Sequence, residues 1–333
     1  MRLHLYKLNR MSQRRTTSKK AILVIVLLIC LVFTSCGGAS SAGTSAGGAG
    51  TESSKSAAAD NSGKKKGGFK AEFHNARFHE DEAEGNSEVL VDLSCSGNGY
   101  FAVMADSDAK LKIQGFINDE VYTYDVEQRT GQVYPFQCED GYYTIKVMKN
   151  ISGDSYYELY VTGADVKIKN FRNPFVRPNV FTHYTESSKC VKKASEMAKA
   201  AADEGDFVNK VYNYICDNIT YDYEEAKNVQ SGYIPDPDEV YETGTGICCD
   251  YASLAAAMLR SQGIPTKIIY GYVAPKNIYH AWNMFYTDEK GWTTVEFSVN
   301  PGDWNRVDLT FSANGSNADF IGDGSNYQDV YQY

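Results

Sequence analysis

One cysteine stands where a thiol becomes a nucleophile. Gly244-Thr245-Gly246-Ile247 is a glycine-bearing loop that feeds a helix opening near Cys248. A thiol at a helix N-terminus sees the positive end of the dipole and unpaired N–H groups. These lower its pKa and can hold an oxyanion. A thiolate also needs a proton shuttle. Of the five histidines, His4 lies in a basic, apolar leader and His74 and His79 lie at the edge of a strand-rich segment. His183 and His280 remain. His280 opens the run His280-Ala281-Trp282-Asn283-Met284-Phe285-Tyr286, whose alternation puts one face on a core. A helix-leading Cys followed by a strand-borne His is the arrangement that thiol acyl transfer requires. Cys249 points about 100° further round the helix, so both thiols cannot face His280, and Cys249 reads as a buried helical filler.

The elements that must position this pair are legible around it. Ser187 or Ser188 can cap a helix running to about Ala202. Asp203-Glu204-Gly205-Asp206 turns the chain into a second helix, where Phe207, Val208, Val211, Tyr212 and Ile215 recur at helical spacing. Residues 219–247 read as irregular, with a turn into a short helix at Asp236. The Cys248 helix ends at Gly263-Ile264-Pro265, and strands follow over Thr266–Val273, Tyr279–Tyr286, Trp292–Val299 and Trp304–Thr310. Residues 69–172 are different. Short runs rich in Val, Tyr and Ile alternate with turn clusters such as SGNG, INDE and EDG, which predicts a small all-β sandwich. The fold class expected is therefore α+β, a catalytic domain over 173–333 preceded by a β-sandwich over 69–172. Cys95 and Cys138 fall at strand ends as either a bridge or two core residues. Cys190 and Cys216 sit level on a helical hairpin with the same two readings.

The front of the chain reads as an export signal. Seven Lys and Arg and no acid occupy the first 35 residues, and the apolar run Ala21–Phe33 would rise only ~20 Å as a helix. Phe33-Thr34-Ser35-Cys36 resembles a bacterial lipobox, which implies lipidation of Cys36 and a signal peptide over 1–36. Residues 37–68 are a Gly/Ser/Ala-rich tether of ~30 Å root-mean-square reach. The expected location is the outer face of the cell membrane, held by a lipid anchor. Beyond the leader the chain holds 26 basic against 42 acidic residues, a formal charge of −16 that disfavours nucleic acid as a partner. No CxxC, HxxxH or HExxH spacing and no phosphate-cradling glycine motif occurs, so neither metal nor cofactor is expected.

Four ordered motifs carry a resemblance. Gly246-Ile247-Cys248-Cys249-Asp250-Tyr251-Ala252, then Arg260-Ser261-Gln262-Gly263-Ile264-Pro265, then Gly271-Tyr272, then His280-Ala281-Trp282 resemble the transglutaminase-like superfamily. The resemblance covers about residues 184–311. It implies a papain-like fold, a Cys-His-Asp triad with Cys248 in the nucleophile register, and action on amide bonds of a protein or peptide, including cell-wall peptides. Two carboxylates compete for the third place. Asp308-Leu309-Thr310-Phe311 resembles the family's acid motif once Thr294–Asn305 is read as an inserted hairpin. Glu296 is where a simple hairpin from His280 places an acid. Asp308 is the favoured reading. The alternative to an enzyme is a cell-surface binding protein that uses the β-region and a relic thiol fold.

Overall fold

Period-two burial decides the front half. Along Leu111–Ile117 every second side chain is buried and those between are half-exposed, the pattern of a strand with one face on a core. The computed structural model describes residues 6–7, 69–126, 131–137, 139–230, 232–273, 278–288, 290–295 and 327–333, all within one unit. Its first strands are β1 (Tyr6–Lys7), β2 (Glu84–Gly85), β3 (Val89–Asp92), β4 (Tyr100–Ala105), β5 (Leu111–Ile117), β6 (Glu120–Asp125), β7 (Gln132–Pro135), β8 (Gly141–Ser152) and β9 (Ser155–Val166). They form two sheets, in the orders β2-β3-β4-β7 and β1-β9-β8-β5-β6. Val89, Val91, Phe101 and Val103 of one sheet share a core with Leu111, Ile113, Ile145 and Val147 of the other. That core also takes in Val180 and Tyr333 from beyond the strands. β8 and β9 run to twelve residues each, longer than the sequence reading, because their hairpin continues past the core into solvent.

The helical half is built around one buried helix. α1 (Lys189–Lys199), α2 (Glu204–Asn218), the short strand β10 (Thr220–Tyr221), α3 (Tyr223–Asn228), α4 (Pro237–Thr243) and β11 (Thr245–Gly246) lead into α5 (Cys248–Arg260). Every α5 residue from Cys249 to Arg260 is buried, as expected of a helix apolar on all sides. The short helix expected after Asp236 is present as α4, and α3 is a second helix in the 219–247 segment that the sequence reading took as irregular. Each starts on an aspartate whose carboxylate accepts from the first-turn N–H groups, Asp222 for α3 and Asp236 for α4. α1 departs from expectation at its start. Neither serine side chain caps it. Asp238 of α4 accepts from Lys189 N–H at 3.0 Å and Cys190 N–H at 2.9 Å.

The second antiparallel sheet region comprises β12 (Thr266–Val273), β13 (Ile278–Thr287), β14 (Gly291–Val295) and β15 (Tyr327–Gln332), in the order β14-β13-β12-β15. α5 is tied to its surroundings by buried polar groups. Asn283 Nδ2 donates to the Ala252 and Lys267 carbonyls, and Ser253 Oγ donates to the Phe181 carbonyl at 2.7 Å. The fully buried Arg260 donates to the carbonyls of Thr266, Arg177 and Tyr333. Burial lowers its pKa to about 10, so it stays charged at neutral pH. The architecture is α+β, strands first and the helix-on-sheet region after. Among the described residues no helix is long and apolar enough to cross a membrane.

Candidate active site

The loop before α5 is folded by its own sequence. Thr220 and Tyr221 pair in parallel with Thr245 and Gly246, which brings the Tyr221 ring beside the start of α5. Ile247 N–H then donates to Asp250 Oδ2 at 2.7 Å, and Asp250 N–H donates back to the Ile247 carbonyl at 3.0 Å. This reciprocal cap closes the first turn with Cys248 at its head. A side chain at Gly246 would place a Cβ 2.7 Å from the Asp250 Cβ, so the turn needs glycine. Asp250 Oδ1 accepts from the Tyr233 hydroxyl at 2.9 Å, which fastens the 229–234 loop to the same carboxylate. Burial raises the Asp250 pKa to about 6, against the pull of the Ile247 and Tyr233 hydrogen bonds.

His280 reaches the thiol from the sheet. It pairs with Gly271 across β12–β13, while α5 packs on both strands. His280 and Cys248 line the same cleft, and the imidazole and the Ala281 N–H both favour the Cys248 thiolate. The Cys248 pKa lies well below the ordinary thiol value. The largest cause is a hydrogen bond from the Cys249 thiol; burial opposes it, and the hydrogen bond and charge of His280 reinforce it. The Cys249 pKa is correspondingly raised, first by that hydrogen bond and then by burial. Cys249 is buried in the core beneath the site and also borders the cleft. The Tyr221 hydroxyl lies near the start of α5; burial raises its pKa to about 12, and the Cys248 backbone opposes that rise.

The pair opens on a cleft of about 600 Å³. Tyr221, Tyr233, Tyr270 and Tyr279 line it, as do Lys112, Thr123 and Asp125 from β5 and β6. The sequence reading did not anticipate a wall from the strand-rich half. Asp125 lies 3.3 Å from Lys112 and 3.4 Å from Lys110, and its carboxylate also abuts Gly232. Gly232 has φ +89°, and an added Cβ would come within 2.9 Å of Asp125 Oδ2. The spacing Ile247-x-x-Asp250 was the available signal for the cap; nothing local marked Lys112 or Asp125.

The other residues singled out from sequence are placed as follows. His183 is exposed. Cys95, Cys190 and Cys216 are free thiols. Cys95 belongs to a second Cys, His and Asp group, with His79 Nδ1 3.0 Å from Asp92 Oδ2 and 3.9 Å from Cys95 Sγ. Sulfur and carboxylate address one ring nitrogen there, so no relay through the imidazole exists. Among the described residues no group of three or more His, Cys, Asp or Glu side chains is arranged to hold a metal ion. Asp308, Glu296, Cys36 and Cys138 lie outside the described residues.

Comparison with known proteins fits this geometry. Residues 191–297 match the model of the Transglutaminase-like superfamily, a span that contains Cys248, His280 and Glu296 and stops short of Asp308. The chain is 30% identical over 95 residues to the UPF0252 protein MJ1282 of Methanocaldococcus jannaschii, covering 27% of this chain and 26% of that one. It is 32% identical over 71 residues to a protein-glutamine gamma-glutamyltransferase of Pseudomonas aeruginosa, covering 18% of this chain and 11% of that one. The chain thus spans about a quarter or less of these relatives' lengths. A solved structure described as a putative cysteine protease from Cytophaga hutchinsonii aligns with TM-score 0.33 and 16% identity, over 59% of this chain and 78% of that one. Residues 191–297, which carry Cys248 and His280 in the cleft just described, are thus similar to domains of the Transglutaminase-like superfamily.

Proposed function

We propose that the protein is a surface-tethered thiol enzyme acting on amide bonds of proteins or peptides, with Cys248 as nucleophile, His280 as acid–base and a carboxylate orienting the imidazole. The observation that carries this reading is that Cys248, at the head of α5, and His280, on β13, line one tyrosine-rich cleft, with the imidazole favouring the thiolate. The Cys248 thiolate attacks the carbonyl carbon, and the carbonyl electrons move to oxygen. Cys248 N–H is one donor to that oxyanion. The Tyr221 hydroxyl, on the same cleft, is the proposed second donor. Imidazolium returns its proton to the leaving nitrogen as the C–N bond breaks, which leaves a thioester on Cys248. Water attacking with proton transfer to His280 gives hydrolysis, and a primary amine in its place gives a new amide. The favoured orienting carboxylate is Asp308, with Glu296 as the alternative, and no cofactor enters. Cys36 supplies the lipid anchor and residues 37–68 the tether.

The test is incubation of the mature protein with glutamine-containing peptides and a fluorescent primary amine, read by mass spectrometry. Amine incorporation indicates transfer, and loss of ammonia or new peptide termini indicates hydrolysis. Either product should vanish in Cys248→Ala. If no product forms and a thiol-reactive probe labels Cys248 no faster than a free thiol, the binding-protein reading takes over.

A further inference from the structure

The wall that the strand-rich half gives to the cleft carries a charge imbalance. Lys112 on β5 faces Asp125 on β6 directly across the ladder, and Thr123 shares that outer face two residues from Asp125. Lys112 Nζ lies 3.3 Å and Lys110 Nζ 3.4 Å from one atom, Asp125 Oδ1. Among the described residues no other carboxylate is within ion-pair distance of either ammonium. Two cations thus share one anion, and one positive charge is left over. We propose that this wall selects substrates that carry a carboxylate close to the reacting amide, with Lys112 and Thr123 as the donors that hold it. This deepens the reading of the cleft as a peptide-amide site and rests on it.

The chemistry of the ligand follows from the substrate class. An unmodified peptide at neutral pH offers one kind of anion, the carboxylate of Asp, Glu or the chain end. An ammonium has three N–H donors, and Asp125 occupies only part of that capacity on Lys112. The Lys112 and Asp125 side chains are each 24% exposed, so a bond formed there is less screened than one in open water. The Lys112 ammonium also stands 5.9 Å from the centre of the Tyr156 ring, a second contact that limits where it can go.

The other charges nearby steer an anion to the same place. Asp125 is the only Asp or Glu among the described residues that line the cleft. Asp250 is buried and engaged by Ile247 N–H and the Tyr233 hydroxyl, and Glu225 lies in the adjoining hollow with Val229, Gln230 and Tyr233. Both repel an anion seated toward α3. Beyond the leader the whole chain is acidic, at −16, so it has no general attraction for acidic peptides. A cleft of about 600 Å³ spans on the order of 10 Å, about three residues of extended chain, which sets how near the carboxylate must be.

The experiment is fluorescence anisotropy on the full mature chain carrying Cys248→Ala, so that binding is read without turnover. The probes are glycine-rich peptides with a central glutamine and an uncharged dye, with Glu, Gln or Lys at each of the three positions on either side. Amidated and free chain ends on the neutral sequence separate a terminal carboxylate from a side-chain one. The best carboxylate-bearing peptide should bind ~5-fold tighter than its neutral counterpart at low salt, and the advantage should shrink as salt rises. The acidic body alone gives the opposite sign, tighter binding of acidic peptides as salt screens repulsion. Lys112→Gln should erase the preference, Lys112→Glu should turn it toward Lys peptides, and Asp125→Asn, which removes the internal counter-ion, should enlarge it. Equal affinities for charged and neutral peptides would overturn the proposal, as would a preference that survives Lys112→Gln, one that falls in Asp125→Asn, or no binding of any peptide. If Lys112→Gln does not keep the parent near-ultraviolet dichroism, the salt dependence and Asp125→Asn decide. Turnover of these peptides by the Cys248 chain is measured beside binding. Carboxylate-selective binding without turnover sinks the enzyme reading and leaves the wall standing, whereas turnover without selectivity sinks only the wall.

Discussion

At the scale of the residue, Cys248 is set apart from the other described thiols by its neighbours. Cys249, His280 and the Ala281 N–H favour its thiolate, whereas burial and Asp238 raise the pKa of Cys190. Cys248 should therefore be alkylated in native protein at pH 6 well before Cys95, Cys190, Cys216 or Cys249, as peptide mapping after a short pulse of iodoacetamide would show. Labelling of Cys249 first would reverse the assignment. Tyr221→Phe removes the hydroxyl beside the Cys248 N–H. It should lower kcat by ~10²-fold with little change in KM, the cost of one oxyanion donor. For the third triad member, Asp308→Asn should collapse turnover and Glu296→Gln should leave most of it. The family-model match, which includes Glu296 and ends before Asp308, makes the opposite outcome the informative surprise.

At the scale of the element, the start of α5 is held by one carboxylate serving two loops. Asp250 accepts from Ile247 N–H and from the Tyr233 hydroxyl while only 1% exposed. Its pKa is raised from 3.8 to about 6, so the folded state binds its proton more tightly than the unfolded state. The sign follows. Stability from this group is fully present below pH ~4 and is lost as pH rises through about 6. Across that window the loss is ~3 kcal/mol at most, from ~1.4 kcal/mol per pKa unit. Asp250→Asn keeps an acceptor for Ile247 N–H and cannot ionise. Urea titrations at pH 4 and pH 7 should therefore show a smaller drop in stability for Asp250→Asn than for the parent. An equal drop in both would mean that the carboxylate is not the group responsible.

At the scale of the whole molecule, the strand-rich half is part of the cleft. Lys112, Thr123 and Asp125 face the same space as Cys248, and the Asp125–Gly232 contact seats the loop that carries Tyr233. Lys112→Ala should raise KM for peptide substrates several-fold with kcat nearly unchanged, because the wall binds ground state and transition state alike. Iodoacetamide, which needs no wall, should react with the variant at the parent rate. A fall in kcat with KM unchanged would count against a binding role. Under the tethered reading, Cys36→Ala should move the protein from the membrane fraction to the medium; retention would favour an uncleaved anchor.

The sequence by itself determined the pieces whose physics is local. α5 was visible as an apolar run closed by Gly263-Ile264-Pro265, and β12 and β13 as alternating runs. Cys248 and His280 stood out because a thiol at a helix start and a histidine on a core strand are scarce residue types in diagnostic places, and the motifs around them resemble one family. Tertiary structure alone decided what lies between elements. The Asp238 cap on α1 joins positions 48 residues apart in sequence. The cleft wall sets Lys112 against a thiol more than a hundred residues away. Neither leaves a trace in periodicity, because a carboxylate or a lysine on a half-exposed face has the same local pattern whether it meets water or a neighbouring element.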